Sequence, residues 1–125
     1  MPRIGSVAFL SAVLMVPSLV RASDQGTAKT VSGWVLDSAC AFTKGLSKPI
    51  SRDCALACAK NGSQLVILQD DGTIYWPIAD TMPAAGQNSR LTPFAGKRVT
   101  ASGKVYTRGG SYALVIASIK AEAGK

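Results

Sequence analysis

Residues 98–120 read R-V-T-A-S-G-K-V-Y-T-R-G-G-S-Y-A-L-V-I-A-S-I-K, and this stretch decides the fold. Val99, Ala101, Gly103 and Val105 share one parity, while Arg98, Thr100, Ser102, Lys104, Tyr106 and Arg108 share the other. Such alternation predicts a strand over 98–108 with one face inward and one face in water. Gly103 predicts a bulge or sharp bend, because glycine inside a strand has no side chain to pack. Gly109-Gly110 predicts a tight hairpin, since both positions tolerate positive φ. Residues 111–120 are apolar on both faces and form the returning strand.

Toward the N-terminus, residues 65–69 are a short continuous apolar run and 73–78 (T-I-Y-W-P-I) return from an Asp70-Asp71-Gly72 turn. Pro77 cannot donate to a ladder, so that strand ends there or lies at an edge. Residues 31–38 (V-S-G-W-V-L-D-S) make the first strand. Val31, Gly33 and Val35 lie on one face and Trp34 and Leu36 on the other. Residues 41–50 read as a loop. Ser51 is a good N-cap, Asp53 suits the first turn, and 52–60 form a short alanine-rich helix that Asn61-Gly62 stops. Residues 79–93 read as the longest irregular segment.

The expected fold is therefore mainly β, a small five-stranded OB-like barrel with one short helix after the first strand. A β-sandwich fragment is the competing fold. An OB barrel carries its usual helix between strands three and four, where this sequence reads as loop.

The first residues are a targeting segment rather than part of the fold. Met1-Pro2-Arg3 is a basic start, residues 4–20 are mostly apolar, and Val20-Arg21-Ala22 offers a cleavage site before Ser23. Residues 1–22 are expected to be a signal peptide, 23–30 a flexible leader, 31–120 the barrel and 121–125 a polar tail. The competing reading is a membrane anchor, which the short run and Gly5, Ser6, Ser11 and Pro17 weaken. Cleavage leaves one domain with no membrane span, exported to the periplasm or the medium. The chain carries 14 Lys and Arg against 7 Asp and Glu. A basic surface of this kind meets anionic glycans, phosphate or lipid head groups, or simply keeps the protein soluble.

All three cysteines, Cys40, Cys54 and Cys58, lie in one 19-residue stretch, C-A-F-T-K-G-L-S-K-P-I-S-R-D-C-A-L-A-C. An exported compartment is oxidising, so a disulfide is the default. Cys40 continues the Trp34, Leu36, Ser38 parity, and Cys54 and Cys58 lie one turn apart on the helix. Either helix cysteine can reach Cys40. The favoured pair is Cys40–Cys54, with Cys58 a free thiol. The sharper alternatives are a soft metal ion held by three thiolates, or thiol exchange. C-x-x-x-C without a thioredoxin-like pattern argues against the latter.

G-W-V-x-D-S-x-C (33–40), C-A-x-x-C (54–58), D-G-x-x-Y (71–75) and F-A-G-K-x-V (94–99) occur together in this chain. In that combination it resembles a group of small secreted bacterial OB-like domains of unknown function. The resemblance implies the barrel fold and export, and carries no activity. Some members place a histidine near the first cysteine. This chain has no histidine, which puts a mixed cysteine–histidine metal site in doubt.

Other candidate sites are modest. Asp37 and Ser38 beside Cys40 either polarise a site or bond to their own turn. Trp34, Tyr75 and Trp76 are either a stacking platform or core. Arg98, Lys104, Tyr106 and Arg108 form the best anion-binding stripe, a kind of face on which OB barrels bind nucleic acids and sugars. Export argues against nucleic acid, leaving an anionic glycan or another envelope protein as partner. There is no P-loop, no histidine and no pair of carboxylates placed for acid–base work, so the expectation is a non-enzymatic module without a cofactor. The main expectation is a disulfide-stabilised binding or structural module, and the alternative a periplasmic metal- or thiol-handling protein.

Overall fold

The computed structural model describes Pro2, Gly5 and residues 26–123. The expected signal peptide lies almost wholly outside these described residues. Five strands, β1 (Thr27–Asp37), β2 (Leu65–Leu68), β3 (Ile74–Pro77), β4 (Arg98–Arg108) and β5 (Ser111–Ala121), close into a barrel in the order β1-β2-β3-β5-β4. All neighbours are antiparallel except β3 and β5, which run parallel. The barrel is of the expected OB type. Helices are short: α1 (Ser38–Thr43), α2 (Arg52–Lys60) and α3 (Asn88–Leu91), the last followed by a 3-10 turn, Thr92–Phe94. Among the described residues no helix is long and apolar enough to cross a membrane.

β4 and β5 behave as their pattern predicts. Val99, Ala101 and Val105 are buried in the barrel, and the register slips between Ser102 and Gly103. Ser102 faces Ser118 and Gly103 faces Ile116, which leaves Ala117 as the extra residue of a bulge on β5. Gly103 is required there. A Cβ on it would collide with the Val115 carbonyl oxygen.

β1 departs from expectation at both ends. It starts at Thr27, so residues 27–30 are strand and not leader. They pair with Ser102–Val105 of β4 and carry no apolar period of their own. The partner strand, rather than local preference, orders them. At the C-terminal edge of the barrel, β5 continues to Ala121, and Glu122 N–H donates to Arg98 C=O (2.9 Å). The expected polar tail is thus tied in at its start.

β2 is buried on both faces, which explains its unbroken apolar run. Leu65 and Ile67 point into the barrel with Val31, Val35, Tyr75, Val99 and Leu114. Val66 and Leu68 point outward into a second cluster with Leu36 and Ala41. The cover for that outer cluster is α1, in a segment the sequence reads as strand end and loop. Asp37 starts the helix by accepting hydrogen bonds from Ala39 N–H (3.1 Å) and Cys40 N–H (3.3 Å). The expected helix, α2, has its expected bounds and caps: Ser51 Oγ accepts from Cys54 N–H at 3.2 Å, and Gly62 takes a positive φ of 95°. It sits against the F-A-G-K segment, where Ala95 is buried and a Cβ on Gly96 would meet the Arg52 backbone at 2.5 Å.

The expected loop over 79–93 contains α3, in the position usual for an OB barrel. The four-residue helix is too short to show a 3.6-residue period. Its placement comes from Asn88. The Asn88 side chain accepts from Leu65 N–H (2.9 Å) and donates to Ser63 C=O (2.8 Å), completing the backbone bonding at the start of β2. Leu91, fully buried, then enters the barrel core.

Candidate functional site

Asp37 is the only buried charged side chain among the described residues, and Cys40 lies directly over it. Besides its two α1 amides, Asp37 accepts from Ser63 Oγ at 3.1 Å and from the Cys40 thiol. Burial alone would raise its pKa. The bonds from Cys40, Ser63 and the two amides outweigh that, and the carboxyl titrates below its ordinary value. Cys40 moves the other way. Its thiol is pushed up to about 11 by the bond to Asp37, then by burial and by the Asp37 charge. Burial first, and then the same carboxylate, also raise Cys58. The Asp37 carboxylate, which the Lys48 charge offsets only in part, holds Cys40 as a thiol, the unreactive form.

Cys40 and Cys54 line one cavity of ≈ 20 Å³, with Leu36, Asp37, Ile50 and Ala55 around it. That is room for about one water molecule. All three cysteines are free thiols. The expected tie between Cys40 and α2 is not formed in this structure, and the Cys40 thiol lies beside Asp37. Among the described residues no group of three or more His, Cys, Asp or Glu side chains is arranged to hold a metal ion. Asp37 ends β1 and serves its own turn, as one of the two readings has it, and additionally reaches Ser63 across the chain, while Ser38 opens α1 with its N–H donating to Gln64 C=O at 2.9 Å.

The anion-binding stripe is incomplete. Arg98 is held by two carboxylates, Asp70 at 2.6 Å and Glu122 at 2.7 Å. Its guanidinium is therefore engaged and not offered to a ligand. Thr100 Oγ1 donates to the same Glu122 at 2.9 Å. Tyr106 is half-buried beside Gly26, while Lys104 and Arg108 are exposed.

The aromatic residues divide. Tyr75 is core: it is buried, its hydroxyl accepts from Lys29 Nζ at 3.0 Å, and its ring lies 5.5 Å from that of Tyr112. Trp34 and Trp76 lie on the outer face and pack on the second cluster. The residue that sequence reasoning missed is Phe42. It stands on α1 with 64% of its surface exposed, and its ring centroid is 5.8 Å from that of Trp76 at 35°. A single aromatic in a supposed loop carries no periodic signal. The only pointer to it was its position between two segments of apolar parity.

Phe42 and Trp76 line an open groove together with Ile74 of β3, Gly72 and Thr73 of the β2–β3 turn, and Gly110, Ser111 and Tyr112 of the β4–β5 turn. The β1–β2 connection, the middle strands and the β4–β5 turn are the parts with which OB barrels engage oligonucleotides and oligosaccharides. The groove lies among those parts of the barrel. No family model matches the chain, and no curated protein or solved structure matches it.

Proposed function

We propose that this chain is an exported, non-enzymatic binding module, similar to the small secreted OB-like domains its motifs resemble, and that it holds its ligand in the groove across β3. One observation carries the reading. Phe42 keeps 64% of its surface exposed while lying against Trp76, on the side of the barrel where such folds bind. A single exposed apolar side chain is ordinary, but Phe42 stands in ring contact with Trp76, and paired rings at a surface are suited to recognition. The half-buried Trp76 supplies a second ring, and backbone turns supply polar edges.

In an oxidising compartment the module would carry a Cys40–Cys54 disulfide, formed by loss of both thiol protons and transfer of two electrons to the compartment's thiol oxidant. The two cysteines line one cavity, and joining them requires the Cys40 sulfur to leave Asp37, beside which it lies in this structure. The disulfide would fasten α1, and so Phe42, to α2.

The test is a binding array of neutral glycans, anionic glycans and short peptides, probed with wild type and Phe42→Ser. At least one class should bind wild type about tenfold more tightly than the variant. Equal signals for both proteins across every class would overturn the reading.

A further inference from the structure

Resting on that reading, we propose that the groove takes an uncharged saccharide, with the apolar face of a sugar ring laid on Phe42 and Trp76. The lining carries the argument. Phe42, Ile74 and Trp76 present ring and hydrocarbon surface, and Thr73, Ser111 and Tyr112 bring hydroxyl groups that both donate and accept. No residue lining the groove is ionisable near neutral pH, in a chain with a formal charge of +7. Among the described residues the charged side chains therefore lie outside the groove lining.

That charge pattern separates the ligands open to an OB barrel. Oligonucleotides bind through cations that neutralise phosphates, and the groove offers none. An anionic glycan needs the same cations, so the groove disfavours the partner that net charge alone points to. A peptide added as an extra strand needs an open sheet edge, and this barrel is closed. What remains is a ligand with an apolar ring face and a rim of neutral hydroxyls. The 35° tilt between the rings gives a shallow trough, suited to a puckered ring more than to a flat base stacked between parallel planes.

The experiment is a ¹H–¹⁵N titration of the full domain with cellohexaose, maltohexaose and chitohexaose, against a heparin hexasaccharide and an oligothymidylate. A neutral saccharide should move the amides of Phe42, 73–76 and 110–112. Its affinity should hold within about twofold between about 50 and about 500 mM salt, where phosphate-driven binding would collapse. Phe42→Ala should lose about tenfold with the remaining spectrum unchanged, and Trp76→Phe should keep most of the affinity. Movement of the same amides by heparin or oligothymidylate alone would overturn the saccharide assignment and leave the binding module standing. Silence of those amides with every probe would overturn the saccharide assignment, and the binding module falls with it only where the glycan and peptide array is blank for wild type as well.

Discussion

The Asp37 carboxylate accepts the Cys40 backbone N–H at 3.3 Å, and this pair fixes where β1 stops and α1 begins. The same carboxylate takes the α1 amides and Ser63, so one side chain joins the first strand, the first helix and the segment before β2. Its charge state should therefore be felt in stability.

Asp37 titrates below its ordinary value of 3.8. A carboxyl depressed on folding contributes stability that is fully present above the unfolded value and lost as pH falls through the folded one. Thermal melts should show wild type steady near neutral pH and falling below about pH 4. Asp71 and Glu122 are depressed as well and add to the same acid limb. Asp37→Asn should lower stability at neutral pH by about 1–3 kcal/mol and flatten part of that limb. A variant whose melting curve tracks wild type from neutral to acid pH would show that Asp37 is not the joint described.

Cys40 should be slow to alkylate. With its thiol pushed up to about 11, iodoacetamide at neutral pH should leave it the least modified cysteine in the reduced protein, followed by peptide mass mapping. Asp37→Asn removes the acceptor and its charge, so Cys40 should then react faster. Faster labelling of Cys40 than of Cys54 and Cys58 in folded wild type would contradict the bond.

Gly103→Ala should be costly and Gly86→Ala mild. The first puts a methyl group against the Val115 carbonyl oxygen at the bulge, whereas the second meets nothing within 4 Å. Overpacking of this kind costs roughly 1–3 kcal/mol, or several degrees of melting temperature in a domain of this size. Matched losses in the two variants would remove the close approach as the reason for the glycine.

Arg98 and Lys104 should separate on a heparin column. Arg98 is already paired with Asp70 and Glu122, so Arg98→Gln should elute near wild type and lose about 0.5 kcal/mol of stability at low salt. Lys104→Glu places a negative charge on the exposed face of β4 and should elute at lower salt. Earlier elution of Arg98→Gln, as large as that of Lys104→Glu, would return Arg98 to the anion-binding face.

The barrel was legible in the sequence where one parity is apolar and the other polar. β4 shows this, with Gly103 at the bulge and Gly109-Gly110 at the turn. α2 was legible through its caps. What escaped notice was set by neighbours. Residues 27–30 are polar on both faces and become strand only because β4 lies beside them. α1 was hidden because Trp34, Leu36, Ser38 and Cys40 keep strand parity past Asp37, while the N-cap at Asp37 overrides it. α3 depends on the Asn88 amide meeting backbone groups of 63 and 65, a pairing no local pattern announces. The groove was half visible: Trp76 stood out as an aromatic in a strand, but its partner Phe42 is placed by α1. The anion stripe was read from strand parity alone, which cannot see Asp70 and Glu122 arriving from other segments.

The β4–β5 hairpin borders β1 on one side and β3 on the other. Both seams that shut the cylinder thus belong to the last-made quarter of the domain. A growing or threading chain that has delivered only β1, β2 and β3 is an open three-strand ribbon with two bare margins, and its groove lacks the wall built by Gly110, Ser111 and Tyr112. Assembly is obliged to wait for distant partners, which is a slow route for a small domain. The same order leaves the groove unfinished until the last hairpin is in place, so that shutting the cylinder and completing the groove are one event.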